Sequence, residues 1–322
     1  MHSLNAGAAT VAWEATTDYD DDLLTYRVFR DGQLVHTTQA TSKPFWVRPM
    51  LTFTERGLTP GRAYTYQVQA VDDSGTVSTK SFTSDLVVAA ATDTYRAAVI
   101  GGGASLYWPL DEPTGRFAGG PVATGGGGRY TSTGVTYRVP GALGSTPANR
   151  AVTLDGSTGA VRGSTLLQAP QKFSAEVWFK TTTSRGGKIL GFGSSNNQLS
   201  TTKDRHLYMH DDGRLTFGVF RQTFRTLTSP LAYNDGQWHH AVASLGVGGM
   251  QLTIDGVRVA SRTLPTQARA YRGYWQLGGD SLTGWPSPPS SSFFAGSLDE
   301  FAVYPFQMTL RKIRAHHAEG RS

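Results

Sequence analysis

Apolar residues that recur at every second position constrain the fold of this chain more than any other sequence feature. In FSAEVWFK (173–180), Phe173, Ala175, Val177 and Phe179 alternate with Ser174, Glu176, Trp178 and Lys180, and AYTYQVQAV and RLTFGVF show the same spacing. A period of two matches the β-strand, whose successive side chains point to opposite faces. The Asp-Gly pairs in FRDGQ and TIDGV are typical of hairpin turns. The sequence therefore predicts an all-β protein.

Composition agrees with many short strands joined by turns. The chain has 38 glycines in 322 residues, and only 17% of its residues are charged. It has no cysteine, which excludes disulfides, thiolate metal sites and cysteine nucleophiles. Only TLRKIRAHHAEG near the C-terminus has a helical pattern, with Thr309 as the expected N-cap and Gly320 as the expected stop.

Two classes of partner are excluded by the distribution of apolar and charged residues. No run of 18 apolar residues is present, so we expect no membrane insertion. The net charge is +6, but the Lys and Arg residues are scattered singly rather than grouped as in nucleic-acid-binding arms. We therefore expect no binding to nucleic acid.

Residues 1–92 contain several landmarks of one domain family. These are Trp13, the turn Leu58-Thr59-Pro60-Gly61, and Tyr64 at the position of a tyrosine corner. The segment resembles a fibronectin type III domain. That resemblance implies a small β-sandwich at the N-terminus.

Residues 93–322 contain a longer ordered series of landmarks. They run through YWPLDEPTG, FSAEVWFK, GGKILGFG, DRHLYM, NDGQWHHAVA, IDGV, GYWQLGGD and FAGSLDEFAVYP. This series resembles the laminin-G-like (concanavalin A-like) jelly-roll domains of bacterial secreted proteins and actinophage tail proteins. The resemblance implies two facing antiparallel sheets. It also implies a non-catalytic module that binds carbohydrate or protein.

A ligand surface is expected where aromatic rings lie beside Asp, Arg and His, because sugars stack on rings and bind charged groups through hydroxyls. The sequence predicts such a surface in loops around Asp204, Arg205, His206, Tyr208, Tyr274, Trp275, Asp280 and Trp285. The alternative is that these loops pack on the edge of the sandwich.

A structural calcium ion is the cofactor that the sequence suggests. In WPLDE, Glu112 shares a strand face with Trp108, and in LDEFAVY, Asp299 shares one with Phe301. A carboxylate on an apolar face needs a partner, and hard oxygen ligands suit Ca²⁺. In similar sandwiches calcium often lies where the first and last strands meet. Pairing with Arg, or with a backbone N–H, is the alternative.

The sequence does not support either of two catalytic arrangements. Gly279-Asp280-Ser281-Leu282 matches the nucleophile block of GDSL esterases, but that block belongs near the start of an α/β fold. The paired carboxylates E-x-D-x-x-E of jelly-roll glycosidases are absent from the sequence. We therefore expect that the protein is not an enzyme.

Together these features predict a binding or adhesion module that recognises a glycan or cell-envelope polysaccharide on a secreted or cell-surface bacterial protein. A receptor-binding protein of a phage tail, located in the virion, is one alternative. A structural spacer is another. Other domains of a longer protein are also possible partners.

Overall fold

The chain divides into two compact units, Met1–Ala97 and Ala98–Ser322. The computed structural model describes residues 1, 3, 6–19, 23–41, 50–81, 83–89, 93–119, 126–144, 146, 149–264 and 266–322. Helix α1 (Thr94–Gly101) contains the point of division.

The N-terminal unit consists of two small antiparallel sheets. Its strands are β1 (Ala8–Glu14), β2 (Leu23–Arg30), β3 (Gln33–Thr41), β4 (Met50–Arg56), β5 (Ala63–Val71) and β6 (Ser84–Val87). Strand β1 pairs with β4, and the second sheet has the order β3-β2-β5-β6. The predicted Asp31-Gly32 turn joins β2 to β3, with φ values of 48° and 81° at its two residues.

Alternation along β5 produces the core of this unit. Tyr64 and Tyr66 are buried and pack with Val11, Val28 and Leu58. The Tyr64 hydroxyl accepts a hydrogen bond from the Thr59 N–H at 3.1 Å, as a tyrosine corner requires. The assignment of this unit to the fibronectin type III family stays a prediction.

The C-terminal unit contains many short strands and one helix, α2 (Leu310–Arg321). The strands are β7 (Leu106–Trp108), β8 (Phe117–Ala118), β9 (Gly128–Tyr130), β10 (Val135–Pro140), β11 (Arg150–Asp155), β12 (Val161–Gly163), β13 (Leu167–Gln168), β14 (Phe173–Lys180), β15 (Gly187–Gly193), β16 (Lys203–Met209), β17 (Arg214–Phe220), β18 (Phe224–Ala232), β19 (His239–Gly246), β20 (Gly249–Ile254), β21 (Val257–Arg262), β22 (Arg272–Leu277) and β23 (Ala295–Tyr304).

These strands form two sheets, which confirms the all-β concanavalin A-like prediction. The first sheet has the order β10-β11-β23-β14-β19-β20-β21, with β7 also paired to β23. The second has the order β18-β17-β16-β15-β22-β12-β9-β8, with β13 also paired to β22. One hydrophobic core, drawn from the inner faces of both sheets, includes Phe173, Phe179, Phe217, Trp275 and Phe301.

Strand β14 is buried on both faces. Phe173, Ala175, Val177 and Phe179 enter the core between the sheets, as the alternation predicts. Trp178 lies on the opposite face, where a side chain at Gly320 of helix α2 would meet its indole ring. Helix α2 begins after Thr309, whose side chain accepts from the Lys312 N–H, as predicted. It continues past Gly320 to Arg321, so the expected stop was one residue early.

Among the described residues, neither helix is long and apolar enough to cross a membrane.

Candidate functional site

The predicted ligand residues Asp204, Arg205, His206 and Tyr208 are inside the protein. They belong to strand β16, and all four are fully buried. The expectation that they occupy an exposed loop is therefore wrong. The alternation within DRHLYM does not indicate burial on both faces, because burial of the outer face depends on segments distant in sequence.

Asp204 and Arg205 hold distant segments of the chain together. Asp204 accepts hydrogen bonds from the backbone N–H groups of Phe220 (2.7 Å) and Arg269 (2.9 Å), and forms an ion pair with Arg205 at 3.0 Å. Burial raises the pKa of Asp204, and the Arg205 charge opposes that rise. Arg205 also donates to the carbonyls of Pro170 and Arg269. These contacts assign both side chains a packing role, which was the alternative interpretation.

The other four predicted residues are distributed over the core and a covering loop. Trp275 lies in the core, 5.4 Å from the ring centroids of both Phe173 and Phe192. Tyr274 on β22 is half-buried. Trp285 occupies a loop, as predicted, but its ring packs on His206 and leaves only 4% of the residue exposed. The burial of Trp285 corrects the expectation that it is a surface contact.

A loop between β22 and β23 covers a buried polar layer on the outer face of the second sheet. Asp280 in this loop forms an ion pair with Lys188 of β15 at 3.2 Å. Lys188 also donates to the Gln276 side chain at 3.1 Å. Neither ring nitrogen of His206 has a hydrogen-bond partner among the described residues, and burial lowers its pKa well below 6.5. This part of the sheet face is closed to a ligand.

Glu112 and Asp299 have separate hydrogen-bond donors. Glu112 accepts from the Gly119 N–H and from the Tyr130 hydroxyl, both at 2.6 Å. Asp299 is fully buried and accepts from the Ala142 N–H at 2.9 Å. Within the described ranges, no group of three or more His, Cys, Asp or Glu side chains is arranged to hold a metal ion. The two carboxylates therefore have different hydrogen-bond partners, and the calcium ion at Glu112 and Asp299 stays a prediction.

An open part of the outer face lies at the other end of the second sheet. Strand pairing places Phe117 of β8 opposite Arg129 of β9, and Arg129 opposite Arg162 of β12. Arg162 is in turn opposite Gln276. The Gln276 side-chain amide donates a hydrogen bond to the Ser195 carbonyl, so the segment around Ser195 covers Gln276. Phe117 is 62% exposed. The row of opposed residues is therefore covered at Gln276, partly covered at Arg162 and open to solvent at β8.

A groove of about 280 Å³ lies on this open part of the face. It is lined by Arg129, Arg162, Gly163, Ser164, Asn196 and Asn197. We name it the arginine groove. The Arg129 guanidinium lies over the Phe117 ring, 5.0 Å from its centroid, which places an exposed aromatic ring at the groove margin.

The Arg162 side chain is partly fixed within the arginine groove. Its Nη1 donates to the Gln198 carbonyl at 3.0 Å, while its Nε is buried without a hydrogen-bond partner among the described residues. Burial lowers the pKa of Arg162, and the Asp280 charge opposes that shift. This groove is not among the sites that the sequence predicts. A usable signal was present, because GRY and VRG each place an Arg between residues that face the core.

Comparison with protein families shows to which family the chain belongs. A family model described as the concanavalin A-like lectin/glucanases superfamily (Laminin_G_3) matches residues 154–314, half of the chain. The chain belongs to this superfamily. The match covers strands of both sheets and the first five residues of helix α2.

Individual relatives of this superfamily member are distant or partial. A gellan lyase from a Bacillus species is 45% identical over 69 residues, which are 21% of this chain and 2% of that enzyme. The chain thus spans only a small part of the curated relative that it matches.

Two solved structures are among those that match parts of this chain. Domain 4 of the extracellular arabinanase AbnA from Geobacillus stearothermophilus, in complex with arabinotriose, is 18% identical. The match covers 67% of this chain and 98% of that one, with a TM-score of 0.47. The CBM40 domain of the Ruminococcus gnavus IT-sialidase is 20% identical, covers 46% and 83% of the two chains, and has a TM-score of 0.35.

Proposed function

We propose that the C-terminal unit is a non-catalytic carbohydrate-binding module that holds a glycan in the arginine groove. The observation that carries the proposal is the registered row of Phe117, Arg129 and Arg162, which presents an exposed ring beside two guanidinium groups. Membership of a superfamily that includes lectins supports it.

The chemistry of the groove suits a sugar. The exposed face of Phe117 can stack on the apolar face of a pyranose ring. Ser164, Asn196 and Asn197 provide hydroxyl and amide groups that both donate and accept hydrogen bonds, as sugar hydroxyls require. A site in which polar groups converge beside an apolar surface is typical of small-ligand recognition.

The surroundings of the GDSL sequence support a non-catalytic role. A serine nucleophile requires an adjacent base that is itself oriented by a third group. Asp280 instead pairs with Lys188 and accepts from the Ser281 and Ser200 N–H groups. The Ser281 hydroxyl accepts a hydrogen bond from the Thr283 N–H at 3.3 Å.

The setting of the module is part of the same proposal. We place it on a secreted or cell-surface protein, where it would contribute to adhesion by binding glycan or envelope polysaccharide. A phage-tail location remains compatible with that chemistry, since the target would then be the host envelope. A structural spacer would bind no glycan.

Binding to a glycan array tests the proposed function. We expect the full chain to bind at least one polysaccharide, and Phe117→Ala to weaken that binding about tenfold, corresponding to about 1.4 kcal/mol. Leu231→Ala is a matched control, because Leu231 is 65% exposed on β18 at the opposite edge of the same sheet.

Two results would overturn the proposal, and a third would overturn one part of it. One is flat binding across the array, which indicates a spacer. Another is equal weakening by Phe117→Ala and Leu231→Ala. The third is release of new reducing ends from a bound polysaccharide, which would contradict the non-catalytic part alone.

A further inference from the structure

The arginine groove carries two positive charges side by side. Arg129 and Arg162 are directly opposed residues of the antiparallel strands β9 and β12, and both side chains line the groove. Like charges directly opposite in a sheet are destabilising unless something compensates them. This arrangement is therefore costly in the absence of an anion.

No carboxylate lines the groove beside these charges. None of the six residues that line the groove is acidic. The segment 120–125, which follows β8 and lies outside the described residues, has the sequence GPVATG and contains no acid either. Asp280 acts on Arg162 at longer range, but its carboxylate is already paired with Lys188.

The guanidinium of Arg162 is also partly removed from water. Nη1 bonds to the Gln198 carbonyl, and Nε is buried without a partner among the described residues. An unpaired buried donor costs free energy. Arginine binds carboxylate and sulfate groups through paired N–H donors, and such charge-assisted bonds are about twice as strong as neutral ones.

We infer that the arginine groove selects an anionic polysaccharide, whose carboxylate or sulfate group lies between Arg129 and Arg162 while a sugar ring stacks on Phe117. The inference rests on the proposed function, since it names the class of glycan that the same site takes. A neutral glycan would leave both guanidinium charges uncompensated, whereas an anionic one pairs with them. The Phe117 ring distinguishes the expected ligand from a polyanion without sugar rings.

Titration calorimetry of the full chain tests the inference with four probes at low salt. The probes are polygalacturonate for carboxylates, dextran sulfate for sulfates, dextran as a neutral glycan, and polyglutamate as a polyanion without sugar rings. We expect binding to one or both anionic glycans at least tenfold tighter than to dextran or polyglutamate. The preferred anionic glycan identifies the charged group. We also expect binding to weaken as salt rises, because screening acts on exposed charges.

Matched variants locate the binding. Arg129→Gln and the double variant Arg129→Gln/Arg162→Gln should each lose at least tenfold in affinity for the anionic glycan. Arg258→Gln on β21 of the other sheet removes one exposed charge at a distance and should have no such effect. Arg129 is exposed, so Arg129→Gln tests the inference even if the double variant folds poorly.

The outcomes separate this inference from the proposed function. Equal affinity for dextran and the anionic glycans overturns the charge selectivity but preserves glycan binding. Binding of polyglutamate as tightly as the anionic glycans overturns sugar recognition at this site. Equal losses in Arg129→Gln and Arg258→Gln also overturn the inference, because binding would then follow net charge. Failure to bind any glycan overturns both proposals.

Discussion

The carboxylate of Glu176 on β14 lies 3.1 Å from the Nδ1 atom of His316 on helix α2. The two residues are 140 positions apart, and both are buried. Glu176 also accepts hydrogen bonds from His240 of β19 and from the Tyr304 hydroxyl of β23. One buried carboxylate thus joins three adjacent strands to the helix that covers them.

Replacing this carboxylate should loosen helix α2. Burial alone would raise the pKa of Glu176, but the charge of His316 and the hydrogen bonds from His240 and His316 outweigh it, so the pKa lies well below its ordinary value of 4.5. Glu176→Gln removes the charge that these donors bind, and we expect the free energy of unfolding to fall by about 2 kcal/mol.

Urea denaturation of the full chain, followed through the C-terminal transition, measures this loss. Glu319→Gln is the control, because Glu319 lies on the same helix and is only half-buried. Equal effects of the two substitutions would contradict a special role for Glu176.

Acid should destabilise the C-terminal unit through His206. Its pKa in the folded protein lies well below 6.5, mainly because of burial, so the unfolded state takes up a proton there as pH falls through 6.5 while the folded state does not. When folding lowers the pKa of a basic group, the folded protein loses stability as pH falls below the pKa of that group in the unfolded chain. Between pH 6.5 and 5.5 that loss is about 1 kcal/mol for one such histidine.

Comparison with His206→Leu isolates this contribution. We expect the variant to lose about 1 kcal/mol less than the wild type over the same pH interval, measured by denaturation at each pH. His210→Leu serves as a control for removal of a neighbouring, less buried histidine, whose pKa is also lowered. Parallel pH dependences of the wild type and His206→Leu would show that His206 is protonated in the folded protein.

Calcium at Asp299 is testable independently of glycan binding. If the ion binds, EDTA should lower the Tm of the C-terminal transition by several degrees, and added calcium should restore it, because a ligand that binds only the folded state stabilises it. Asp299→Asn should remove this response, whereas Glu112→Gln should preserve it, since Glu112 is held by Tyr130 and Gly119. A Tm that EDTA does not change contradicts the calcium prediction.

Local sequence patterns predicted many of the strands, helix α2 and several element ends, but not helix α1. Alternation located β5, β14 and β17, and Asp-Gly pairs located the turns at Asp31 and Asp255, where φ is positive as such turns require. Thr309 marked the start of helix α2. These features depend on neighbouring residues, so local spacing is sufficient to predict them.

Which faces are covered, and which residues meet, depends on contacts between segments that are distant in sequence. Alternation shows that Phe117 and Ala118 point to opposite faces of a sheet. It does not show that Phe117 lies opposite Arg129, or that Arg129 lies opposite Arg162. In the same way, the composition of DRHLYM suggests an exposed site, but Trp285, which is distant in sequence, packs over His206. Strand pairing and loop cover are contacts between distant segments, so the arginine groove became visible only when β8, β9 and β12 were assembled side by side.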